Sequence, residues 1–337
     1  MGRPLLRSLL RREIFQIIQI FLLFLFTPLE RVGCISVIQR KTNFPLVFRS
    51  ICTNFDFVEL THARQNERKR LFLSFLCSLI RNFVPQNSMV MNAFRIDGQR
   101  AVVTGGGSGL GLGIAKVFVE AGAEVIIIGR NEEKLKVAQK QLGARCSYRA
   151  FDVTKLNDIP ALVKDIGAVD ILVNCAGTHL KKWALDVSDA EFLDVLNVHV
   201  MSVFALSREF AKLMVERGKG SIILISSMAA IMGLEQIVAY TTAKSAVLGI
   251  QRSLVAELSP KGIRINTIAP GWIDTPMFHK ATDNDPQRKA NILRRIPMKT
   301  FGQPEDIGYA ALYLCSPAGS YVNGVFLPVD AGASEAF

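Results

Sequence analysis

From Gln99 onward, short apolar runs rich in β-branched residues alternate with longer segments of helical periodicity, and this alternation constrains the fold more than any other feature. The strand-like runs, bounded by Gly, Asn, Asp or Pro, read RAVVT, EVIII, CSYRAF, DILVN, SIILIS, IRINTIAP and GVFLPVD. The main helical segments are Leu110 to Ala121, Glu132 to Leu142, Ala190 to Arg217, Ile237 to Leu258 and Pro304 to Cys315. Apolar strands joined by helical crossovers predict a doubly wound α/β fold, a parallel sheet of about seven strands covered on both faces.

The composition changes abruptly near residue 90. Residues 1–90 contain 13 Lys+Arg and 5 Asp+Glu, a net charge of +8, and the other 27 basic and 24 acidic residues leave +3 for residues 91–337. The front segment also holds 11 of the 21 Phe but only two of the 25 Gly. Because no internal repeat or Pro/Ser-rich linker interrupts the remainder, we predict one domain, residues 91–337, preceded by an atypical N-terminal extension.

Three interpretations of this extension stay open. Met89 and Met91 directly precede the sequence of ordinary globular composition, which is consistent with translation starting there. The apolar run from Ile14 to Phe26 follows a basic start, as in a membrane-associating leader, but Gln16 and Gln19 interrupt it and a spanning helix needs about 20 apolar residues. An additional folded domain is the third interpretation.

Charge and cysteine usage exclude several classes of function. The net charge of +11 does not predict nucleic-acid binding, because most of the excess lies in the extension. The six cysteines show no CxxC spacing, and the four histidines have no ligand spacing with one another or with cysteine. We therefore expect reduced thiols, a cytoplasmic protein and no metal site.

The first predicted strand ends in TGGGSGLG, Thr104 to Gly111. Glycines between a strand and the next helix allow the backbone to approach a pyrophosphate, which then lies against the helix N-terminus. The spacing of Gly105, Gly109 and Gly111 is wider than the common GxGxxG. Because this loop lies in a chain of alternating strands and helices, it predicts dinucleotide binding by a Rossmann-like sheet.

The second predicted strand ends in IIIGRN, so Gly129 and Arg130 stand where an NAD-selective enzyme usually carries an acidic residue. A basic side chain can pair with the 2′-phosphate of NADP, and this favours NADP over NAD. In the alternative interpretation, Arg130 is a solvated loop charge and either cofactor serves.

The stretch AYTTAKS places Tyr240 and Lys244 four residues apart in a predicted helix. Positions i and i+4 share one helix face, so both side chains can reach a common point. A nearby ammonium favours the phenolate and lowers the pKa of a tyrosine. The pair therefore suggests a tyrosine that exchanges protons with a substrate.

Together these motifs resemble those of the short-chain dehydrogenase/reductase family, from about Asn92 to the C-terminus. TGxxxGxG is matched by Thr104 to Gly111, the Asp after the third strand by Asp152, NNAG by NCAG with Cys175 in place of the second Asn, and the PG motif by APG, Ala269 to Gly271. The active-site Asn, Ser, Tyr and Lys of the family correspond to Asn197, Ser227, Tyr240 and Lys244.

The resemblance implies a nicotinamide-dependent oxidoreductase in which Tyr240 is the general acid/base. Lys244 would lower the pKa of Tyr240 and hold the nicotinamide ribose, Ser227 would fix the substrate oxygen, and Asn197 would hold a water that connects Lys244 to solvent. The implied cofactor-binding residues are Thr104, Gly105, Ser108, Gly109, Leu110, Gly111, Arg130, Asp152, Val153, Asn174, Ala176, Gly177, Tyr240, Lys244, Pro270, Gly271, Ile273 and Thr275.

The loops THLKKWALD and WIDTPMFHK border the substrate in such enzymes. His179, Lys181 and Lys182 could attract a carboxylate, and Trp272 is a fourth candidate. The sequence is similar to the branch of gluconate 5-dehydrogenases and 2-deoxygluconate 3-dehydrogenases, so we expect a sugar acid or a related polyol. The alternatives are a 3-oxoacyl thioester on acyl carrier protein, a steroid or other small alcohol, and a non-catalytic dinucleotide-sensing protein.

The predicted helix 190–217 is apolar on more than one face, which is consistent with burial against a partner. The resemblance implies a homotetramer joined through this helix and the helix 237–258, acting on a small-molecule substrate.

Overall fold

Strands and helices alternate along residues 89–283 and 285–336, the part of the chain that the computed structural model describes. The strands are β1 (Arg100–Thr104), β2 (Glu124–Gly129), β3 (Cys146–Ala150), β4 (Ile171–Asn174), β5 (Gly220–Ile225), β6 (Ile263–Pro270) and β7 (Phe326–Val329). The α-helices are α1 (Met89–Ala93), α2 (Gly109–Glu120), α3 (Glu132–Leu142), α4 (Ile159–Ile166), α5 (Asp189–Leu196), α6 (Ser202–Arg217), α7 (Val238–Leu258), α8 (Pro276–Thr282), α9 (Pro286–Arg295) and α10 (Pro304–Cys315).

The compact unit to which these elements belong is Met89–Phe337. Residues 1–88, on which the predictions of an early start, a leader or an extra domain fall, lie outside the described residues. The proposed boundary at residue 90 therefore stays a prediction.

The strands form one parallel sheet in the order β3-β2-β1-β4-β5-β6-β7. Val102 in β1 pairs with Ile126 on one side and with Leu172 on the other. The strand order reverses between β1 and β4, and ligands of open α/β sheets bind beyond the carboxyl ends of the strands at such a switch point. The predicted doubly wound, seven-stranded fold is confirmed.

Successive strand residues point to opposite faces of the sheet, and each face has its own core. Val103 and Ile223 pack with α2, α3 and α10 in one layer. Their neighbours Val102 and Ile222 pack with α4, α6 and α7 in the other. Both faces are therefore covered, which explains why the strands read as continuous apolar runs.

The predicted helix from Ala190 to Arg217 is interrupted. Its two α-helical parts, α5 and α6, are joined by a π-helical turn, Asn197–Met201, in which the amide of Ser202 donates to the carbonyl of Asn197. Such turns insert an extra residue into a helix and are frequent at functional sites. The turn changes which side chains of this segment face the interior.

The stretch Asp189–Arg217 is also long and apolar enough to cross a membrane by length and composition. Its residues Leu206, Phe210 and Met214 are fully buried in the core beside the sheet. We therefore assign it as a core helix.

Candidate active site

The site begins where Thr104 ends β1. Its Oγ1 accepts hydrogen bonds from the amides of Cys175 (2.9 Å) and Ala176 (3.0 Å) and donates to the carbonyl of Val173 (3.3 Å). One buried hydroxyl thus joins the glycine loop after β1 to the NCAG segment after β4. These are the two strands that flank the switch point.

The glycine loop fits a dinucleotide because two of its positions leave no room for a side chain. A Cβ on Gly105 would lie 3.0 Å from Ala176 Cα, and one on Gly111 would lie 2.4 Å from Gly105 O. Gly105 and Gly109 also adopt φ values of +71° and +53°, which favour glycine. A bare backbone therefore lies at the N-terminus of α2, where the amides and the helix dipole favour a phosphate.

The other predicted cofactor residues lie at or beyond the carboxyl ends of the strands. They are Ser108 and Leu110 after β1, Arg130 after β2, Asp152 and Val153 after β3, Ala176 and Gly177 after β4, and Pro270, Gly271, Ile273 and Thr275 at and after β6. The side chain of Asn174 faces inward instead, where its Nδ2 donates to Ser207 Oγ at 3.0 Å. The methyl of Thr275 lies 3.6 Å from where a Cβ of Gly109 would be, so the loop after β6 closes over the glycine loop.

The side chain of Asp152 is oriented by its own loop. Its Oδ1 accepts from the amide (3.0 Å) and the hydroxyl (2.8 Å) of Thr154. Burial raises the pKa of Asp152, but these hydrogen bonds and the charge of Arg130 outweigh that effect, so the net shift is downward. Arg130 is exposed and close enough to Asp152 for their charges to interact.

Ser227, Tyr240 and Lys244 come together beside β5. The pKa of Tyr240 reflects a hydrogen bond with Ser227, and Lys244 Nζ lies 5.5 Å from the centre of the Tyr240 ring. The neighbouring Ser226 donates to the carbonyl of Lys244 at 2.8 Å, so it fastens α7 to the end of β5. This leaves Ser227, the serine that the family resemblance assigns to the active site, as the one that faces the tyrosine.

Burial dominates the protonation of this pair. It raises the pKa of the Tyr240 hydroxyl to about 12, and the hydrogen bond with Ser227 opposes the shift only in part. It also lowers the pKa of Lys244 to about 8, and Lys244 Nζ donates to the carbonyl of Ile225 at 2.7 Å. The sequence predicted that Lys244 lowers the pKa of Tyr240, whereas in this structure burial raises that pKa and the opposing effect comes from Ser227.

The structure does not bring Asn197 together with these three residues. Asn197 is exposed on the π-helical turn, whereas His199, two positions later, is only 2% exposed. The His199 ring meets that of Tyr240 edge to face, with 5.3 Å between centroids. Residues i and i+2 of a helix do not share a face, so only one of these two side chains can point into the site.

The four substrate candidates, His179, Lys181, Lys182 and Trp272, lie in different surroundings. The ring of His179 lies 5.6 Å from that of Tyr240. Partial burial lowers the pKa of His179, and the charges of Arg288 and Lys181 act on this ring and lower it further. Trp272, half-buried, accepts at its carbonyl from the amide of Gly302.

Lys182 is committed to the protein itself. Its Nζ pairs with Glu191 at 2.9 Å, and its amide donates to the carbonyl of Gln236 at 2.8 Å. Glu191 also closes the capping box of α5 with Ser188. These contacts hold the loop after β4 against α5, so Lys182 shapes the wall of the site, and Lys181 is the exposed lysine of the two.

Sequence reasoning missed His199 and Arg288. His199 stands in the otherwise apolar stretch VLNVHVMSVF, where a polar residue at a buried position was the available signal. Arg288 belongs to α9, far along the chain from His179, and no local pattern links the two. Among the described residues, no group of three or more His, Cys, Asp or Glu could hold a metal ion, and the absence of a metal requirement stays a prediction.

Comparisons with known proteins agree with this geometry. The family model described as enoyl-(acyl carrier protein) reductase matches residues 105–334. The chain is 40% identical over 245 residues to galactitol 2-dehydrogenase (L-tagatose-forming) of Cereibacter sphaeroides, covering 71% of this chain and 96% of that enzyme. It is 38% identical to 2-dehydro-3-deoxy-D-gluconate 5-dehydrogenase of Escherichia coli (72% and 98% covered) and 35% identical to a 3-oxoacyl-[acyl-carrier-protein] reductase of Chlamydia muridarum (73% and 99%).

Two solved structures extend the similarity. Gluconate 5-dehydrogenase of Burkholderia cenocepacia, in complex with NADP and tartrate, is 32% identical with a TM-score of 0.70, covering 74% of this chain and 100% of that one. A 7α-hydroxysteroid dehydrogenase, in complex with NADH and 7-oxo glycochenodeoxycholic acid, is 36% identical with a TM-score of 0.68, covering 72% and 96%. The chain therefore belongs to the short-chain dehydrogenase/reductase family and is an oxidoreductase that acts on CH–OH groups with a nicotinamide cofactor.

Proposed function

We propose that this protein oxidises a secondary alcohol of a sugar acid or a related polyol, or reduces the corresponding ketone, with NADP preferred over NAD. The observation that carries the proposal is the cationic wall beside Tyr240. The His179 ring lies beside the tyrosine ring, and the charges of Arg288 and Lys181 act on it. A carboxylate on the substrate would pair with this wall while its hydroxyl or ketone faces the tyrosine.

The chain's own residues supply the proton chemistry. Because its pKa is raised to about 12, Tyr240 carries its proton at neutral pH and can donate it to the oxygen of a ketone. Ser227 would donate to the same oxygen and stabilise the charge that develops there. When bound, the nicotinamide gives or accepts the hydride, and its oxidised form adds a positive charge to the site.

Lys244 would act on this step through its charge. With a pKa of about 8, it is mainly protonated at neutral pH. Its ammonium would favour the phenolate that forms when Tyr240 gives up its proton, and it would donate to the ribose hydroxyls of the cofactor. The preference for NADP is supported by Arg130, which follows β2 and is exposed beside Asp152.

The second candidate activity is reduction of a 3-oxoacyl thioester. Its support is the similarity to the Chlamydia muridarum reductase, close in identity to that of the sugar-acid enzymes. A thioester on a carrier protein has no carboxylate beside the reacting ketone, so the cationic wall separates the two hypotheses.

The deciding experiment follows reduced nicotinamide by its absorbance with the full-length protein. NADP and NAD are each tested with gluconate, 2-deoxygluconate and galactitol, and NADPH and NADH with 5-ketogluconate and an acetoacetyl thioester. Turnover of a sugar acid supports the proposal. Turnover of the thioester alone would replace it with the second activity.

Arg288 and Lys289 on α9 provide a matched pair of variants. We expect Arg288→Gln to raise the KM for a sugar acid by about tenfold, because a charge-assisted hydrogen bond is lost, and to leave the KM for a neutral polyol nearly unchanged. Lys289→Gln removes the same charge from the neighbouring position. Equal effects of the two variants would show that only the overall charge of α9 matters.

We further propose a cytoplasmic homotetramer. Its support is a set of exposed apolar side chains on α5, the π-helical turn, α6 and the start of α7, namely Leu193, Met201, Phe204 and Val238. Cys146, Cys175 and Cys315 are free thiols, as expected in a reducing compartment. Light scattering on a sizing column measures the mass of the assembly, and a monomer would contradict the proposal.

A further inference from the structure

His199 makes contacts in the site that neither the sequence motifs nor the reaction described above employ. Its Nε2 lies 3.0 Å from the amide nitrogen and 2.8 Å from the carbonyl oxygen of Thr178, the first residue of the loop that forms the substrate wall. Its ring meets the Tyr240 ring at an interplanar angle of 86°. One side chain therefore contacts both the catalytic tyrosine and the start of the substrate loop.

The backbone is built to admit this ring. The π-helical turn Asn197–Met201 places His199 inside and Asn197 outside. Opposite it, a Cβ on Gly177 would lie 2.7 Å from His199 Cε1, closer than real Cβ atoms approach other groups. The imidazole thus occupies the space that a side chain at position 177 would fill, so the last glycine of NCAG is required by this histidine.

The imidazole stays neutral in this place. The pKa of His199 is lowered to about 3, chiefly by burial and also by the nearby charges of Lys244 and His179, and the hydrogen bond with the Thr178 backbone opposes this shift only in part. A neutral ring can accept from the amide of Thr178 in one tautomer or donate to its carbonyl in the other. It serves one partner at a time, and Nδ1 has no partner among the described residues.

We propose that His199 is a positioning residue of the reaction. Its ring holds the Tyr240 ring by an edge-to-face contact, and its Nε2 fixes the backbone of Thr178 by a hydrogen bond. It occupies the inward position that the family resemblance assigned to Asn197. It acts through Tyr240 and the loop and exchanges no proton with the substrate. Its effect falls on the rate of hydride transfer, because a displacement of about 1 Å at a reacting group costs on the order of 100-fold in rate.

Three substitutions separate the two contacts. His199→Phe keeps a ring beside Tyr240 but loses the hydrogen bond to Thr178, and His199→Ala loses both. His199→Asn carries a donor and an acceptor on separate atoms, so it can serve the amide and the carbonyl of Thr178 together. We expect kcat to fall about 10- to 100-fold for Ala and Phe and to recover to within about threefold of the parent for Asn.

The assays use the full chain and whichever substrate the parent protein turns over fastest, so they do not depend on the sugar-acid proposal. Cofactor affinity, followed by the fluorescence of bound NADPH, should change by less than about threefold in all three variants. The pH profile of kcat should keep its shape, since His199 does not titrate in the working range. Asp194→Asn, an exposed change on α5, controls for nonspecific effects on this helix.

If Asn197→Ala loses more activity than His199→Phe, the relay through Asn197 is the correct assignment. If His199→Asn is as impaired as His199→Phe, the hydrogen bond to Thr178 has no role in the reaction. Thermal unfolding identifies any variant that fails to fold, and where His199→Ala does, the comparison of Phe with Asn decides.

Discussion

The two sides of the active site differ in burial. On the inner side, Ser227, Lys244 and His199 are each less than 10% exposed and lie against the ring of Tyr240. On the outer side, Arg130 and Lys181 are exposed. Exposed charges are screened by water and salt, whereas buried groups are held by neighbours that cannot relax. The inner side is thus suited to chemistry that needs fixed distances, and the outer side to the choice of cofactor and substrate.

The two sides of the active site also differ in the surroundings of their charged side chains. The buried Lys244 has a pKa lowered to about 8 and donates to a carbonyl, so the fold bears a cost to keep a cation near the tyrosine. Lys182, at the rim, pairs with Glu191 in a half-exposed salt bridge, which stabilises a loop by a small amount. Substitutions on the two sides should therefore differ in size and in kind.

The largest effect is expected at the centre of the inner side. Tyr240→Phe removes the hydroxyl that donates the proton and leaves the ring to pack against His199. We expect kcat to fall by about 10³-fold or more, because general acid catalysis contributes roughly 10²- to 10⁴-fold. NADPH binding should persist in a fluorescence titration. A rate near that of the parent protein would remove Tyr240 from its assigned role.

Gly111→Ala tests whether the glycine loop after β1 is held as tightly as the buried side of the active site. The added Cβ would lie 2.4 Å from Gly105 O, so the backbone must shift where the pyrophosphate is expected. We expect the Kd for NADPH to rise on the order of 10- to 100-fold. Gly107→Ala is the matched change in the same loop, since its Cβ would have ordinary contact with Leu135 at 3.4 Å. Equal losses for both would contradict a specific cradle.

Lys244→Met should abolish activity and, at the same time, raise the free energy of unfolding at neutral pH. Below pH 8, Lys244 is charged in both the folded and the unfolded protein, and its burial costs stability. Between pH 8 and the unfolded pKa near 10.5, the unfolded state binds more protons, so the parent protein gains stability as pH rises. We expect the inactive Met variant to be more stable by about 1–3 kcal/mol at pH 7, with a smaller difference at pH 10.

Chemical unfolding in urea at the two pH values measures this difference. A constant gap between the parent protein and Lys244→Met would show that the lysine does not change its charge in this range. Tyr240 does not affect the comparison, because its pKa of about 12 keeps it protonated in the folded state at both pH values, and in the unfolded state it titrates alike in both proteins.

The smallest effect is expected on the outer side. Arg130→Ala should raise the KM for NADP by about three- to tenfold and that for NAD by less, since an exposed ion pair is weak and screened by salt. Steady-state rates at low and high salt provide the measurement. The increase in the KM for NADP, relative to that for NAD, should be smaller at high salt. Equal changes for both cofactors would show that Arg130 does not contact the 2′-phosphate.

Much of the molecule follows from local patterns. The alternation of runs predicted the parallel sheet, because a strand buried on both faces must be continuously apolar. The glycine loop was placed correctly at the end of β1, since backbone without a side chain is needed wherever a turn is tight. The assignments of Ser227, Tyr240 and Lys244 stay predictions that the structure makes geometrically reasonable by grouping them.

The remaining features depend on which distant segments pack together. The pattern could not show that a π-helical turn faces His199 toward Tyr240 and Asn197 toward solvent, because one inserted residue rotates everything that follows. Nor could it show that Lys182 pairs with Glu191, or that the charge of Arg288 in α9 acts on His179. In each case the partner comes from another segment, and its distance is set only when the elements dock.

The sequence by itself therefore determined the fold class, the place of the glycine loop after β1 and the spacing of the catalytic candidates, since these depend on helical and strand periods that act over a few residues. Only the tertiary structure decided the protonation of the site and the orientation of its walls. Burial raises the pKa of Tyr240 and lowers that of Lys244, and burial is a property of the packed interior that no short stretch of sequence contains.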